Sequence, residues 1–293
     1  MVYILEEKET NLKKYVTYIN FFRKVYMTKI DKKDFCIIKI KANISDKKLR
    51  SIAKKIIKKL HKMKEHTIVM SKNIFDNDVL KNELKALTVL DGRWLFNYLI
   101  YDSVNYILNI KKIDIEKTEI SILVNNLTNV NLQNILRLSD KVKNLNILTD
   151  KFQNFTQVKE KLLKEQGVTL RVTNNKRKAL LKSVIIINLD FNEEEINKCS
   201  LPIEGIIINV NKKLQIKTKT FNGINISNYS ITIPNEFKID NFADEIVYES
   251  FLYSKTAYNN VIKRCEMDNI KINALVGTNG IIDEKEFKSC KLL

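Results

Sequence analysis

Between residues 117 and 235 the chain alternates short continuous apolar runs with amphipathic stretches. The apolar runs at 120–124, 145–148, 168–172, 184–189 and 205–210 are of strand length, and segments of helical spacing lie between them at 132–142, 158–166, 176–181 and 193–198. A strand that is apolar on both faces must be covered on both. Such runs separated by helices therefore predict a parallel sheet between two helical layers. Gly167 stands where the helix at 158–166 needs a left-handed C-cap.

The first 115 residues are less regular. FCIIKI (35–40) and TIVM (67–70) read as strands, and 77–87 and 93–108 as helical. In SDKKLRSIAKKIIKKLHKMK (45–64), Leu49, Ile52, Ala53, Ile56, Ile57 and Leu60 fall on one stripe behind a candidate N-cap, Ser45. DGRWLFNYLIYDSVNYIL (91–108) reads as one long aromatic-rich helix opening after Asp91-Gly92, its stripe suited to core or to packing between domains. Beyond 235 the pattern gives helices at 242–253 and 257–267 and a turn at 277–280. The fold class expected is α/β: an N-terminal α/β domain with its linking helix over 1–115, a mostly parallel sheet domain over 116–235, and a helical segment over 236–293 that can pack back on the first domain.

Composition narrows the function classes. With 44% hydrophobic and 29% charged residues among 293, the chain has the make-up of a globular protein. Its apolar runs are too short to cross a bilayer, and MVYILEEKETNLKK turns polar after five residues without a signal core, so a cytoplasmic location and no membrane partner are expected. The four cysteines form no C-x-x-C pair and the only histidines are His61 and His66, which argues against a metal site and for reduced, buried thiols. The formal charge of +17 raises nucleic acid as a partner. Codon bias in a chain so rich in Lys, Ile and Asn is a competing source of that charge. Lys54, Lys55, Lys58, Lys59 and Lys62 crowd the polar faces of the 45–64 helix with almost no acid beside them. They read first as a solvated face and alternatively as a nucleic-acid surface, one without interleaved aromatics to stack bases.

The sheet region also carries a resemblance. KSVIIINLDF (182–191) is similar to the strand of type A-D-hydrophobic-hydrophobic-I-N-A-T in the nucleotide-binding domain of shikimate dehydrogenase, glutamyl-tRNA reductase and related two-domain dehydrogenases, with Asn188 in place of that motif's asparagine. LPIEGIIINV (201–210) resembles the strand after it, and NILTD (146–150) the ribose-reading end of the second strand. The resemblance covers about a third of the chain. It implies a Rossmann-like fold, and NAD(P) as cofactor if the phosphate loop functions. The cofactor-binding candidates it marks are Asn125, Asn126, Leu127, Asp150, Asn188 and Asp190.

The departure lies in the phosphate loop itself. Laid on G-x-G-x-x-G/A, the turn reads Asn125-Asn126-Leu127-Thr128-Asn129-Val130, so Asn125, Leu127 and Val130 fill the three glycine positions. Asparagine tolerates a left-handed turn, but leucine stands where backbone must approach a pyrophosphate and valine where helix and strand must pack closely. Asp150 keeps the acid about 20 residues past the loop that bonds a ribose, and reads equally as an ordinary turn residue. Lys176, Arg177 and Lys178 suit a phosphate or a solvated helical turn. No G-x-S-x-G, Walker A or H-E-x-x-H sequence is present, and the first block shows no recognisable lysine–aspartate pair of the shikimate dehydrogenase type. The expectation is a dehydrogenase-like scaffold without catalytic residues or a bound cofactor, serving a small-molecule ligand or a protein partner. The alternatives are an NAD(P)-dependent oxidoreductase with a variant loop and a nucleic-acid-binding protein.

Overall fold

The computed structural model describes residues 2–6, 16–18, 25–30, 33–41, 43–168, 170–217, 220–253 and 258–290. Most of the N-terminal stretch read above for a signal core, and residue 257 of the helix expected at 257–267, lie outside the described residues. Contacts divide the chain into two compact units, Met1–Trp94 with Thr232–Ile270 and Leu95–Ile231 with Lys271–Leu293. No helix among the described residues is long and apolar enough to cross a membrane.

The first unit opens with β1 (Val2–Glu6), β2 (Val16–Tyr18), β3 (Val25–Ile30) and β4 (Lys33–Lys39). α1 (Asp46–Lys62), β5 (Thr67–Met70), α2 (Asp78–Glu83) and β6 (Thr88–Leu90) follow. The sheet order is β2-β3-β4-β1-β5-β6. β1 runs parallel to β4 and β5, β5 parallel to β6, and β3 antiparallel to β4 and β2. α1 forms where its stripe requires: Leu49, Ala53, Ile56 and Leu60 are buried against Cys36, Ile38, Ile68 and Met70. Ser45 has the extended backbone of an N-cap, but its side chain makes no capping bond; its carbonyl accepts from the N–H groups of Lys48 and Leu49 instead.

Two helices differ from expectation. The 77–87 segment is α2, capped by the Asn77 side chain, followed by a 3₁₀ turn at Leu84–Ala86. The 91–108 segment is two helices, α3 (Arg93–Tyr98) and α4 (Ile100–Lys111), because Leu99 leaves the helical region at φ −97, ψ 14.

The second unit holds β7 (Glu119–Leu123), α5 (Asn129–Ser139), β8 (Asn144–Leu148), α6 (Phe152–Gln166), β9 (Leu170–Thr173), β10 (Ile185–Asn188), α7 (Glu193–Asn197), β11 (Ile206–Asn209) and β12 (Ile224–Thr232). After α8 (Asp244–Tyr253) and α9 (Tyr258–Met267) in the first unit, the chain supplies β13 (Lys271–Gly277), β14 (Gly280–Ile281) and α10 (Glu284–Ser289). The sheet order is β14-β13-β12-β11-β10-β7-β8-β9. All five pairings from β9 through β12 are parallel. Numbered from β7, these strands stand in the order 3-2-1-4-5-6, that of the doubly wound dinucleotide-binding sheet, with its switch point between β7 and β10. The second unit is Rossmann-like. Ile185–Ile187 and Ile206–Ile208 are wholly buried, which is why these strands read as unbroken apolar runs.

Three expectations are corrected. Residues 176–181 form turns rather than a helix, because the Asn175 side chain accepts from the Arg177 and Lys178 N–H groups and competes with helical bonding. The 236–293 segment is not all helical, since β13 and β14 extend the second unit's sheet. A strand at 224–232 went unread because Asn225, Ser227 and Asn228 interrupt its apolar pattern. Gly167 is left-handed at φ 68 and caps α6 as expected, and the four cysteines are buried thiols.

Gly223 closes onto Gly205 where β11 and β12 begin: the Ile224 N–H donates to the Gly205 carbonyl at 2.9 Å, and a Cβ at Gly223 would collide with that carbonyl oxygen and stand 2.6 Å from the Gly205 nitrogen. Gly223→Ala is therefore expected to cost about 1–3 kcal/mol or more of stability by forced backbone displacement, read as a lowered urea midpoint.

Candidate functional site

Open α/β sheets bind ligands beyond the carboxyl ends of their strands at the switch point. In the second unit that place is formed by the turn after β7, residues 149–151 after β8 and residues 189–192 after β10. The backbone N–H groups of Asn125 and Asn126, one residue beyond β7, point at one carboxylate. Asn125 N donates to Asp190 Oδ1 and Asn126 N to Asp190 Oδ2, each at 2.6 Å, and the Asn126 side-chain amide adds a third bond to Oδ2 at 3.0 Å. Charge-assisted bonds of this kind are the strong ones.

The Asn125 side chain ties the neighbouring loops together. Its amide donates to Glu195 Oε1 at 3.0 Å, while its carbonyl accepts from the Asp150 N–H at 2.8 Å and from the Thr149 hydroxyl at 3.3 Å. Glu195 and Asn192 form the capping box of α7, which fixes the far end of the 189–192 turn. The N-terminus of α5 is closed by the chain as well: Thr128 caps it through the Asn131 N–H, and the Asn131 amide returns to the Asn126 carbonyl at 2.8 Å.

Asp150 meets Lys176, with Nζ to Oδ2 at 2.6 Å, and that ammonium also lies 5.6 Å from the centre of the Phe191 ring. Lys151 Nζ donates to Asn126 Oδ1 at 2.9 Å. Asn188 is buried, and both ends of its amide are engaged: Oδ1 accepts from the Phe191 N–H at 2.9 Å, and Nδ2 donates to the Phe191 carbonyl and to Asn209 Oδ1. Asn209 passes the chain of amides to Asn225 at 2.6 Å, and Asn225 ends it on the Leu214 carbonyl. Leu127 lines a shallow cavity of about 590 Å³ with Asn126, Thr128, Gln153, Asn154 and Gln157.

Of the six cofactor-binding candidates, then, Asn125, Asn126, Asp150 and Asp190 gather in one network, Asn188 belongs to a buried amide ladder beside it, and Leu127 faces the cavity against α6. Sequence reasoning missed Asn209, Asn225 and Glu195. The repeated I-I-I-N at 185–188 and 206–209 was the available signal, since equal strands in register set their terminal asparagines side by side.

The five lysines named for the alternative all lie on α1, with Lys54, Lys55, Lys58 and Lys62 exposed and Lys59 half-buried. The first unit has a parallel edge of its own. The register Val69↔Leu90 sets Asp91 level with Met70, two residues short of Lys72. The Asp91 side chain accepts from the Arg93 N–H at 3.1 Å. Ser71 is wholly buried there, with no partner for its hydroxyl among the described residues. Buried Glu249 accepts from the Gly92 N–H at 2.7 Å. Burial pushes the Glu245 carboxyl above its ordinary value, against the opposing pull of Lys72. Burial likewise pushes the thiols of Cys36 and Cys199 up to about 11, which leaves them poor nucleophiles. Among the described residues no group of three or more His, Cys, Asp or Glu side chains is placed to hold a metal ion.

No family model matches the chain, and no curated protein matches it. Among solved structures it is similar to L-tryptophan dehydrogenase from Nostoc punctiforme, at 13% identity and TM-score 0.33 over 80% of this chain and 75% of that one. Shikimate 5-dehydrogenase from Listeria monocytogenes, solved in complex with shikimate and NAD, is similar at 12% identity and TM-score 0.34 over 78% and 86%. An aspartate carbamoyltransferase described as putative, from Trypanosoma cruzi, follows at 11% identity and TM-score 0.30 over 63% and 64%. Likenesses at such scores assign no ligand and no reaction, and the fold assignment rests on the strand order.

Asn125→Ala removes three side-chain bonds that join three loops, and is expected to lower stability by about 2 kcal/mol in urea titration. Asp150→Asn breaks a partly exposed ion pair and should cost at most about 1 kcal/mol. Glu245 has a folded pKa above its unfolded one, so its contribution is full below the unfolded value and is lost as pH rises through the folded value. Glu245→Gln is therefore expected to be more stable than the wild type at pH 7–8 by on the order of 1 kcal/mol, with the difference closing near pH 4, in thermal unfolding across that range.

Proposed function

We propose that this chain keeps a dehydrogenase-like scaffold whose dinucleotide site is closed by its own side chains, and that it works without catalysis, as a binding or regulatory protein of the cytoplasm. The observation that carries the reading is the Asp190 carboxylate on the Asn125 and Asn126 N–H groups. In a working phosphate loop the backbone donors after the first strand and the N-terminus of the following helix are left for the pyrophosphate. Here a resident anion takes the first and Thr128 caps the second.

The state of Asp150 supports the same reading. An acid that bonds a ribose must present its oxygens to the crevice, and Oδ2 of Asp150 is held by Lys176. Asn188 has both ends of its amide committed inside the sheet. An oxidoreductase with a variant loop would have to break these contacts to seat a dinucleotide. No NAD(P) is therefore expected to bind, and the role falls to a small-molecule ligand or protein partner elsewhere on the chain.

A thermal-shift titration with NAD⁺, NADH, NADP⁺ and NADPH tests the reading. A ligand specific to the folded state at a hundredfold excess over Kd adds about 2.7 kcal/mol, an easily visible rise in Tm. The wild type is expected to show none. Asp190→Ala, which vacates the two N–H groups, is expected to lose stability and to recover part of it with millimolar pyrophosphate or ADP. A dinucleotide-dependent rise in the wild type overturns the proposal.

A further inference from the structure

The helices of this protein treat their lysines in two ways. On α6 Lys161 faces Glu165, Lys198 at the end of α7 faces Glu194, and on α10 Lys288 faces Glu284, each pair four residues apart. A solvated helix in a lysine-rich chain gains from such spacing. α1 has eight lysines and arginines across its 17 residues, and Asp46 is its single acid. Among the described residues only Arg50 of these eight has a carboxylate within ion-pair distance, Glu83 at 3.9 Å. Lys54–Lys58, Lys55–Lys59 and Lys58–Lys62 instead stand four apart as like charges, the arrangement that works against a helix. Codon bias acts on the whole chain and does not explain why this helix lacks the pairing acids that α6, α7 and α10 carry.

The buried stripe of α1 holds this face outward and rigid. Lys54, Lys58, His61 and Lys62 share one open face of the helix with Ile57, and among the described residues no carboxylate borders it. Successive lysines four residues apart advance by about 6 Å along the axis, so the charges form a line rather than a disc. A membrane surface rewards an amphipathic helix that inserts its apolar side, and that side of α1 is consumed by the core. A line of cations without an insertable face fits a linear polyanion.

We propose that the exposed face of α1 is a sequence-independent docking surface for a nucleic-acid backbone, with Lys54, Lys58 and Lys62 as its phosphate contacts. Lysine, a point charge without the planar fork of arginine, suits phosphate contact and carries no base readout. The surface lies in the first unit, so the proposal stands or falls apart from the closure of the dinucleotide crevice.

Fluorescence anisotropy of the full chain with a labelled 24-base-pair duplex of mixed sequence, from 25 to 300 mM NaCl, tests it. The expected result is binding at low salt whose log K falls linearly with log salt. In Lys54→Gln/Lys58→Gln/Lys62→Gln, with unchanged circular dichroism and Tm, the slope should flatten by about 2.7, roughly 0.9 for each lost phosphate contact. A second duplex of unrelated sequence should bind within twofold. No binding at 25 mM NaCl, an unchanged slope in the triple variant, or binding to phosphatidylserine vesicles without binding to duplex each overturns the proposal. Should the triple variant unfold, Lys58→Gln alone, expected to flatten the slope by about 0.9, takes its place.

Discussion

Two consecutive backbone N–H groups aimed out of the end of a parallel strand attract an anionic acceptor, and the loops at the carboxyl edge of the second unit are tied together around the one that Asp190 supplies. An unmet donor there forfeits a strong interaction, whereas an ionised acceptor meets both at once. Asp190 is that acceptor, and its neighbours fix it in place. The Asn188 amide grips the Phe191 backbone on one side of it, and the Asn192–Glu195 box holds the turn on the other. Asn125 then extends the arrangement to the loop after β8. The loops at the switch point are here joined to one another by the chain's own hydrogen bonds.

Much of the architecture was legible because burial and periodicity coincide. The five apolar runs between 117 and 210 are β7 to β11, and Gly167 ends α6 in the left-handed conformation its position called for. What escaped had a physical cause in each case. β12 carries buried Ser227 and half-buried Asn225 and Asn228, polar residues that break its apolar signature, and Asn225 bonds across the sheet to Asn209. The turns at 176–181 have helical composition, yet one asparagine ahead of them offers the backbone a rival acceptor.

The site was legible as a set of residues and not as a set of partners. Asn125 and Asn126 stood out as candidates by their place in the loop, Asp150 by its interval past it, and Asp190 by its place at the carboxyl end of a strand. Spacing along a chain cannot tell that Asp190, 64 residues after Asn126, is the anion that faces it. The substituted glycines pointed to steric exclusion by Leu127, whereas the group on the loop's donors is a carboxylate.

The return of β13, β14 and α10 to the second unit's sheet also bears on how the chain is made. Neither unit is a contiguous stretch: the first waits for residues 232–270 and the second for residues after 270. A ribosome releases the Rossmann-like strands long before their outermost neighbours exist, so β12 emerges as an uncovered edge, the kind of strand that invites pairing with other chains. The short-lived hazard falls between the synthesis of Thr232 and that of Lys271.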